Sequence, residues 1–183
     1  MIKYLIYYFI LGLLFTSCDA KNTIGNQNQL NSKTISQNEM KLPKEIFLLI
    51  GRGGCCNGHI VTISKNGEIK YFVGSYSIPN DRSDMPEIYD SQLIKQNQNY
   101  KPKYRKLSEE KINNLGQLIN DEQKLRFKDE VLVKDDFVYN IYLNNKKIAS
   151  GYESRKAEFP ANLAALVDLI CSEVELYELP GMA

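Results

Sequence analysis

Ile46-Phe47-Leu48-Leu49-Ile50, Gly51-Arg52-Gly53-Gly54-Cys55-Cys56-Asn57-Gly58-His59, Ile60-Val61-Thr62-Ile63-Ser64, Lys65-Asn66-Gly67 and Glu68-Ile69-Lys70-Tyr71-Phe72-Val73-Gly74 run consecutively and decide the fold. The first block is apolar at every position, which suits a strand covered on both faces. The third and fifth are strands whose alternation marks one buried and one outer face. Asn-Gly between them predicts a type I′ turn, because that turn needs positive φ and these residues supply it at low cost. The glycine and cysteine loop between the first two strands holds the chain's one histidine and two of its four cysteines, so site chemistry is sought there first.

Downstream, Ser75 to Lys106 has no sustained periodicity and contains Pro79, Pro86 and Pro102, so a long loop is expected over 75–106, with room for a short helix or edge strand around Ile88 to Ile94. A helix follows: Ser108 is a fitting N-cap, Glu109 and Glu110 suit the positive end of the dipole, and Ile112, Leu115, Leu118 and Ile119 form a stripe. Phe137 to Leu143 alternates, Asn144-Asn145 turns the chain, and Lys146 to Gly151 returns. Pro160 opens a second helix with Leu163, Leu166, Val167, Ile170 and Val174 on one face and Cys171 on or beside it. The expectation is an α+β domain over 44–183: an antiparallel sheet of about five strands, in the order β-β-β-α-β-β-α, with two helices packed on one face.

The 183-residue chain has room for more than this domain. Lys3 followed by an apolar run from Tyr4 to Phe15 and the small residues Thr16-Ser17 has the layout of a secretory signal. The run is roughly twelve residues where a spanning helix needs about twenty. Phe15-Thr16-Ser17-Cys18 resembles the lipobox of bacterial lipoproteins, with phenylalanine where leucine is commoner. That resemblance implies removal of residues 1–17, acylation of the Cys18 thiol and attachment to the inner or outer membrane, on the periplasmic or surface side. Residues 18–43, rich in Asn, Gln, Ser and Lys, read as a disordered tether with a reach of roughly 25 to 30 Å. Loss of 1–17 removes Lys3 alone from 23 basic side chains and leaves all 22 acidic ones, so the mature chain is formally neutral. A nucleic-acid partner, which would require a basic excess, is excluded on that balance.

The region from about residue 46 to 175 is similar to a group of uncharacterised bacterial lipoprotein domains in which a Cys/Gly loop precedes an alternating strand and a helix, a hairpin and a Pro-started helix follow. Where that group spaces two loop cysteines apart, this chain has adjacent Cys55-Cys56, with His59 where the second would fall. The resemblance implies a fold and no reaction.

Export places Cys55, Cys56 and Cys171 where disulfides persist. The alternatives are a bridge from Cys171 to Cys55 or Cys56, a Cys55-Cys56 ring, and reduced buried thiols. Cys55, Cys56 and His59 would need a fourth ligand to close a zinc site. Cys56 and His59 as nucleophile and base would need the imidazole aimed at the sulfur, which residues three apart in a loop or strand rarely achieve. Gly51-Arg52-Gly53-Gly54 feeds a strand, not the helix that a phosphate loop requires. Asp81, Asp84, Glu87 and Asp90 lack the spacing of a calcium loop. No catalytic residue, metal or cofactor is assigned from the sequence. The preferred contact residues are Tyr89, Tyr100, Tyr104 and Arg105, among Lys101, Lys103 and Lys106, since tyrosine and arginine are enriched at interfaces. The leading expectation is a lipid-anchored cell-envelope binding module without catalysis, of inhibitor or immunity type in one version, contacting a protein or envelope polymer. The alternative is an envelope enzyme with a Cys/His site in the 51–59 loop.

Overall fold

β1 (Ile46–Arg52) is paired antiparallel on both edges, with β2 (Gly58–Ile63) and β7 (Phe137–Leu143), and its sequence is apolar from Ile46 to Ile50 because both of its faces pack against core clusters. The structure is a computed structural model that describes residues 39–52, 58–76, 85–131, 133 and 136–175. The remaining elements are β3 (Glu68–Tyr76), β4 (Ile94–Gln96), β5 (Lys103–Lys106), α1 (Glu109–Asn120), β6 (Phe127–Lys128), β8 (Lys146–Tyr152) and α2 (Ala161–Glu173). Short 3-10 helices lie at Ser91–Leu93, Glu122–Leu125 and Glu153–Glu158. The sheet order is β4-β3-β2-β1-β7-β8-β6, with β5 also beside β3.

The expected five-stranded antiparallel sheet with two helices on one face is therefore corrected. The sheet is mixed and has eight strands, because β6 runs parallel to β8, and 3-10 helices accompany the two α-helices among the described residues. The three added strands, β4, β5 and β6, have three, four and two residues, too short to show a period. Every residue of β5 is exposed, so it has no buried face to betray it.

Alternation along β1 separates two cores. Ile46, Leu48 and Ile50 join Val61, Ile63, Ile141, Ile112 and Leu115 of α1, and Leu163, Leu166 and Ile170 of α2 in the larger cluster. Leu49 joins Ile60, Phe72, Tyr89 and Tyr142 in a smaller one, with Phe47 and Ile94 packed against it. Leu42 is also in the larger core and its N–H donates to the Lys65 carbonyl at 2.7 Å, so packing begins two residues before the expected boundary. Helix α1 starts as its sequence indicates, with Ser108 Oγ accepting from the Lys111 N–H at 3.4 Å.

The two hairpins differ from expectation in one respect. At Asn66-Gly67 only Gly67 has positive φ, 75°, and its N–H donates to the Ser64 carbonyl at 2.9 Å. Lys65 and Asn66 are thus the central pair of an ordinary turn and Gly67 is the left-handed residue after it, the three-residue hairpin form. The doubly left-handed turn lies instead at Asn144 and Asn145, with φ of 46° and 71°.

Candidate functional site

The segment from Met85 to Asp90 is fastened to the β7–β8 hairpin. Tyr142 Oη donates to the Pro86 carbonyl at 2.9 Å, Lys147 Nζ to the Met85 carbonyl at 2.6 Å, and the Lys147 N–H to the Glu87 carbonyl at 2.8 Å. The Tyr89 N–H donates to the Asn145 carbonyl at 2.7 Å. Tyr89 is consequently buried, its ring stacked on Phe47 with centroids 4.2 Å apart. Burial, with the nearby Tyr76 and Asp90, pushes its hydroxyl pKa up to about 12. Of the four contact residues read from the sequence, Tyr89 thus faces the core, whereas Tyr104 and Tyr100 are 72% and 54% exposed.

Tyr104 lies at the centre of β5, whose register places Tyr104 opposite Lys70, Lys103 opposite Tyr71 and Arg105 opposite Ile69. Arg105 is exposed but tied to the end of α2: Nη1 donates to the Glu173 carbonyl at 2.7 Å and Nη2 to Glu175 at 3.2 Å. Between β5 and that helix end lies a hollow of about 340 Å³ bordered by Tyr71, Lys103, Tyr104 and Val174.

The other face of the sheet carries a groove of about 520 Å³, in the size range of small-ligand sites. Phe47, Thr62 and Phe72 form its floor, and Tyr89, Ile94, Gln96 and Asn145 its walls. The Lys70 ammonium sits over the Phe72 ring, 4.8 Å from its centroid. An aromatic floor with a rim of amides, hydroxyls and the charged Lys70 and Asp90 suits a polar ligand with one apolar face. No motif in the sequence marks this groove. The signal was present in the phase of β1 and β3, which turns Phe47 and Phe72 away from the helices, but nothing in it told where the 85–96 segment would fold.

The candidates in the 51–59 loop are only partly within the described residues: Cys55 and Cys56 lie outside them, as do Cys18, Asp81 and Asp84. Cys171 is fully buried in the larger core. His59 in β2 points at Tyr71, with Nδ1 3.0 Å from the hydroxyl oxygen. Burial raises the Tyr71 pKa to about 12. Glu87 is exposed and paired with Lys147 at 3.1 Å, and Asp90 caps the Ser91–Leu93 turn by accepting from the Gln92 N–H at 2.9 Å. Among the described residues no three His, Cys, Asp or Glu side chains gather as a metal-ligand set. None of the described helices is long and apolar enough to cross a membrane.

Burial also lowers the pKa of His59 below its ordinary 6.5. The unfolded chain then takes up that proton first as pH falls, so stability present in full above pH 6.5 is lost on acidification through the folded-state value. Since the chain has one histidine, His59→Gln isolates the effect. Between pH 7.5 and pH 5.5 the urea midpoint of the wild type should fall further than that of His59→Gln; equal falls in both would refute the assignment.

No protein-family model matches the chain, and no curated protein is similar to it.

Proposed function

We propose that the protein is a lipid-anchored, non-catalytic binding module of the bacterial cell envelope, moored through acylated Cys18 and contacting an envelope protein through residues 97–106. The observation that carries this reading is the exposure of Tyr100 and Tyr104 on and beside a strand with no buried side chain. Large aromatic rings left in water gain most from being covered by a partner, and tyrosine adds a hydroxyl to the contact at small entropic cost. The scaffold behind them is firm, since β5 is paired along one edge with β3 and the Arg105 side chain ties its helix face to the end of α2. The lipobox-like Phe15-Thr16-Ser17-Cys18 supports the anchor.

Two measurements test it. Intact mass of protein extracted from membranes should show acyl chains on a chain beginning at Cys18, and Cys18→Ser should move the protein to the soluble fraction. Capture from envelope extracts should recover a partner with the wild type and at least about tenfold less with Tyr100→Ala/Tyr104→Ala, the loss expected of two interface tyrosines. Full recovery by the double variant would remove the contact reading.

A further inference from the structure

The phase of the β3–β5 ladder can be read from its end. The Leu107 N–H donates to the Gly67 carbonyl at 2.9 Å, and these two residues continue the register Lys106 to Glu68 and Arg105 to Ile69. In an antiparallel pair, hydrogen-bonded and non-hydrogen-bonded positions alternate. Arg105 and Lys103 therefore direct their N–H and C=O groups to β3, while Tyr104 and Lys106 direct theirs to the outer edge. Among the described residues no strand lies on that edge. Pro102, which has no N–H, bounds it on the N-terminal side.

The charge along this stretch of chain is one-sided, although Glu68 of β3 stands across the ladder from Lys106. From Asn97 to Ser108 the chain has Lys101, Lys103, Arg105 and Lys106 and no acidic residue. Arg105 is satisfied by Glu173 and Glu175, but among the described residues Lys101, Lys103 and Lys106 have no ion-pair partner. Lysines on an edge repel a second copy of the same strand, so the edge is closed to self-pairing. An acidic strand meets no such barrier on the outer face, while the side chains that it turns to the helix side would enter the 340 Å³ hollow beside Lys103 and Val174, where Glu173 and Glu175 also stand and favour apolar groups over carboxylates.

We infer that the outer edge of β5 is a strand-addition site for an extended acidic segment of a partner protein, which pairs with the outward amides of Tyr104 and Lys106, sets its carboxylates on the face of Lys106 and turns its apolar side chains over the hollow on the face of Lys103. Backbone pairing supplies the register, charge selects the partner, and the Tyr104 ring covers the added strand. This deepens the contact reading above and rests on it.

The test uses the full chain in detergent with three labelled octapeptides, (Glu-Val)4, (Glu-Pro)4 and (Lys-Val)4. (Glu-Pro)4 keeps the carboxylates but cannot pair as a strand. By fluorescence anisotropy (Glu-Val)4 should bind at least about tenfold more tightly than (Glu-Pro)4, the loss of several backbone hydrogen bonds, and (Lys-Val)4 should not bind. Amide hydrogen exchange gives a readout that needs no variant: the Tyr104 and Lys106 amides should exchange fast in the free protein and slow by at least about tenfold with (Glu-Val)4. Equal binding of (Glu-Val)4 and (Glu-Pro)4, or no added protection at Tyr104 and Lys106, would overturn the inference. If the double tyrosine variant loses envelope capture while these amides stay unprotected, strand addition alone fails. If that variant keeps full capture, the contact reading fails, and the inference with it.

Discussion

Gly67→Ala is expected to lower the unfolding free energy by about 3 kcal/mol, the sum of a left-handed backbone and an overfilled core. With φ of 75°, Gly67 occupies a region that costs an alanine about 1 to 2 kcal/mol. An added Cβ would also lie 2.6 Å from Ile112 Cδ1 and 2.8 Å from Cγ1, and Ile112 is buried against the sheet with little room to give. Overpacking of that kind costs about 1 to 3 kcal/mol. The position matters beyond its own turn, since the Gly67 carbonyl accepts the Leu107 N–H and so ties the β2–β3 hairpin to the entry of α1. Urea denaturation at pH 7 measures the loss. Combining Gly67→Ala with Ile112→Val should recover part of the steric share and none of the backbone share. A midpoint unchanged by Gly67→Ala would contradict the packing of this hairpin against α1.

Tyr142→Ala should cost about 4 kcal/mol, as expected for truncating a fully buried aromatic ring. Tyr142→Phe should cost about 1 kcal/mol, the net value of one hydrogen bond. The ring is the centre of the smaller core, 5.8 Å from the Tyr89 ring, and its hydroxyl, whose pKa burial raises, donates to the Pro86 carbonyl. Both substitutions therefore act on the seat of residues 85–96, which wall the groove over the second face of the sheet. Amide exchange in 85–96 should accelerate in Tyr142→Phe with the rest of the sheet unchanged. Uniform acceleration throughout the domain would show that this segment is not a separable layer.

The parts of the fold that were legible in the sequence are those whose burial is periodic. β1, β2 and β3 announce themselves through Ile46 to Ile50, Ile60 to Ile63 and Ile69 to Val73, and α1 through Ser108 and its stripe. β5 was hidden because Lys103, Tyr104, Arg105 and Lys106 are all exposed and follow a proline. Its pairing is decided by the partner edge of β3, which no local pattern reports. β6 pairs through two residues only, so the parallel contact that makes the sheet mixed leaves no trace in composition. At the candidate site, Tyr100 and Tyr104 are as exposed as a loop reading suggests. Tyr89 is not, because its burial depends on Phe47 and Tyr142, 42 and 53 residues away along the chain. The turn at Asn66-Gly67 shows a finer limit: the dipeptide marks the place of the reversal, while the ordinary turn over Lys65-Asn66 moves the left-handed position to Gly67 alone.

The most direct test of β5 as the contact edge is photo-crosslinking in living cells, with a benzophenone amino acid placed at position 104 in one strain and at Gln117, exposed on α1, in another. The account predicts a discrete higher-mass adduct from position 104, absent from position 117 and lost when Lys103→Glu and Lys106→Glu are added. No adduct at position 104, or the same adduct from both positions, would contradict it.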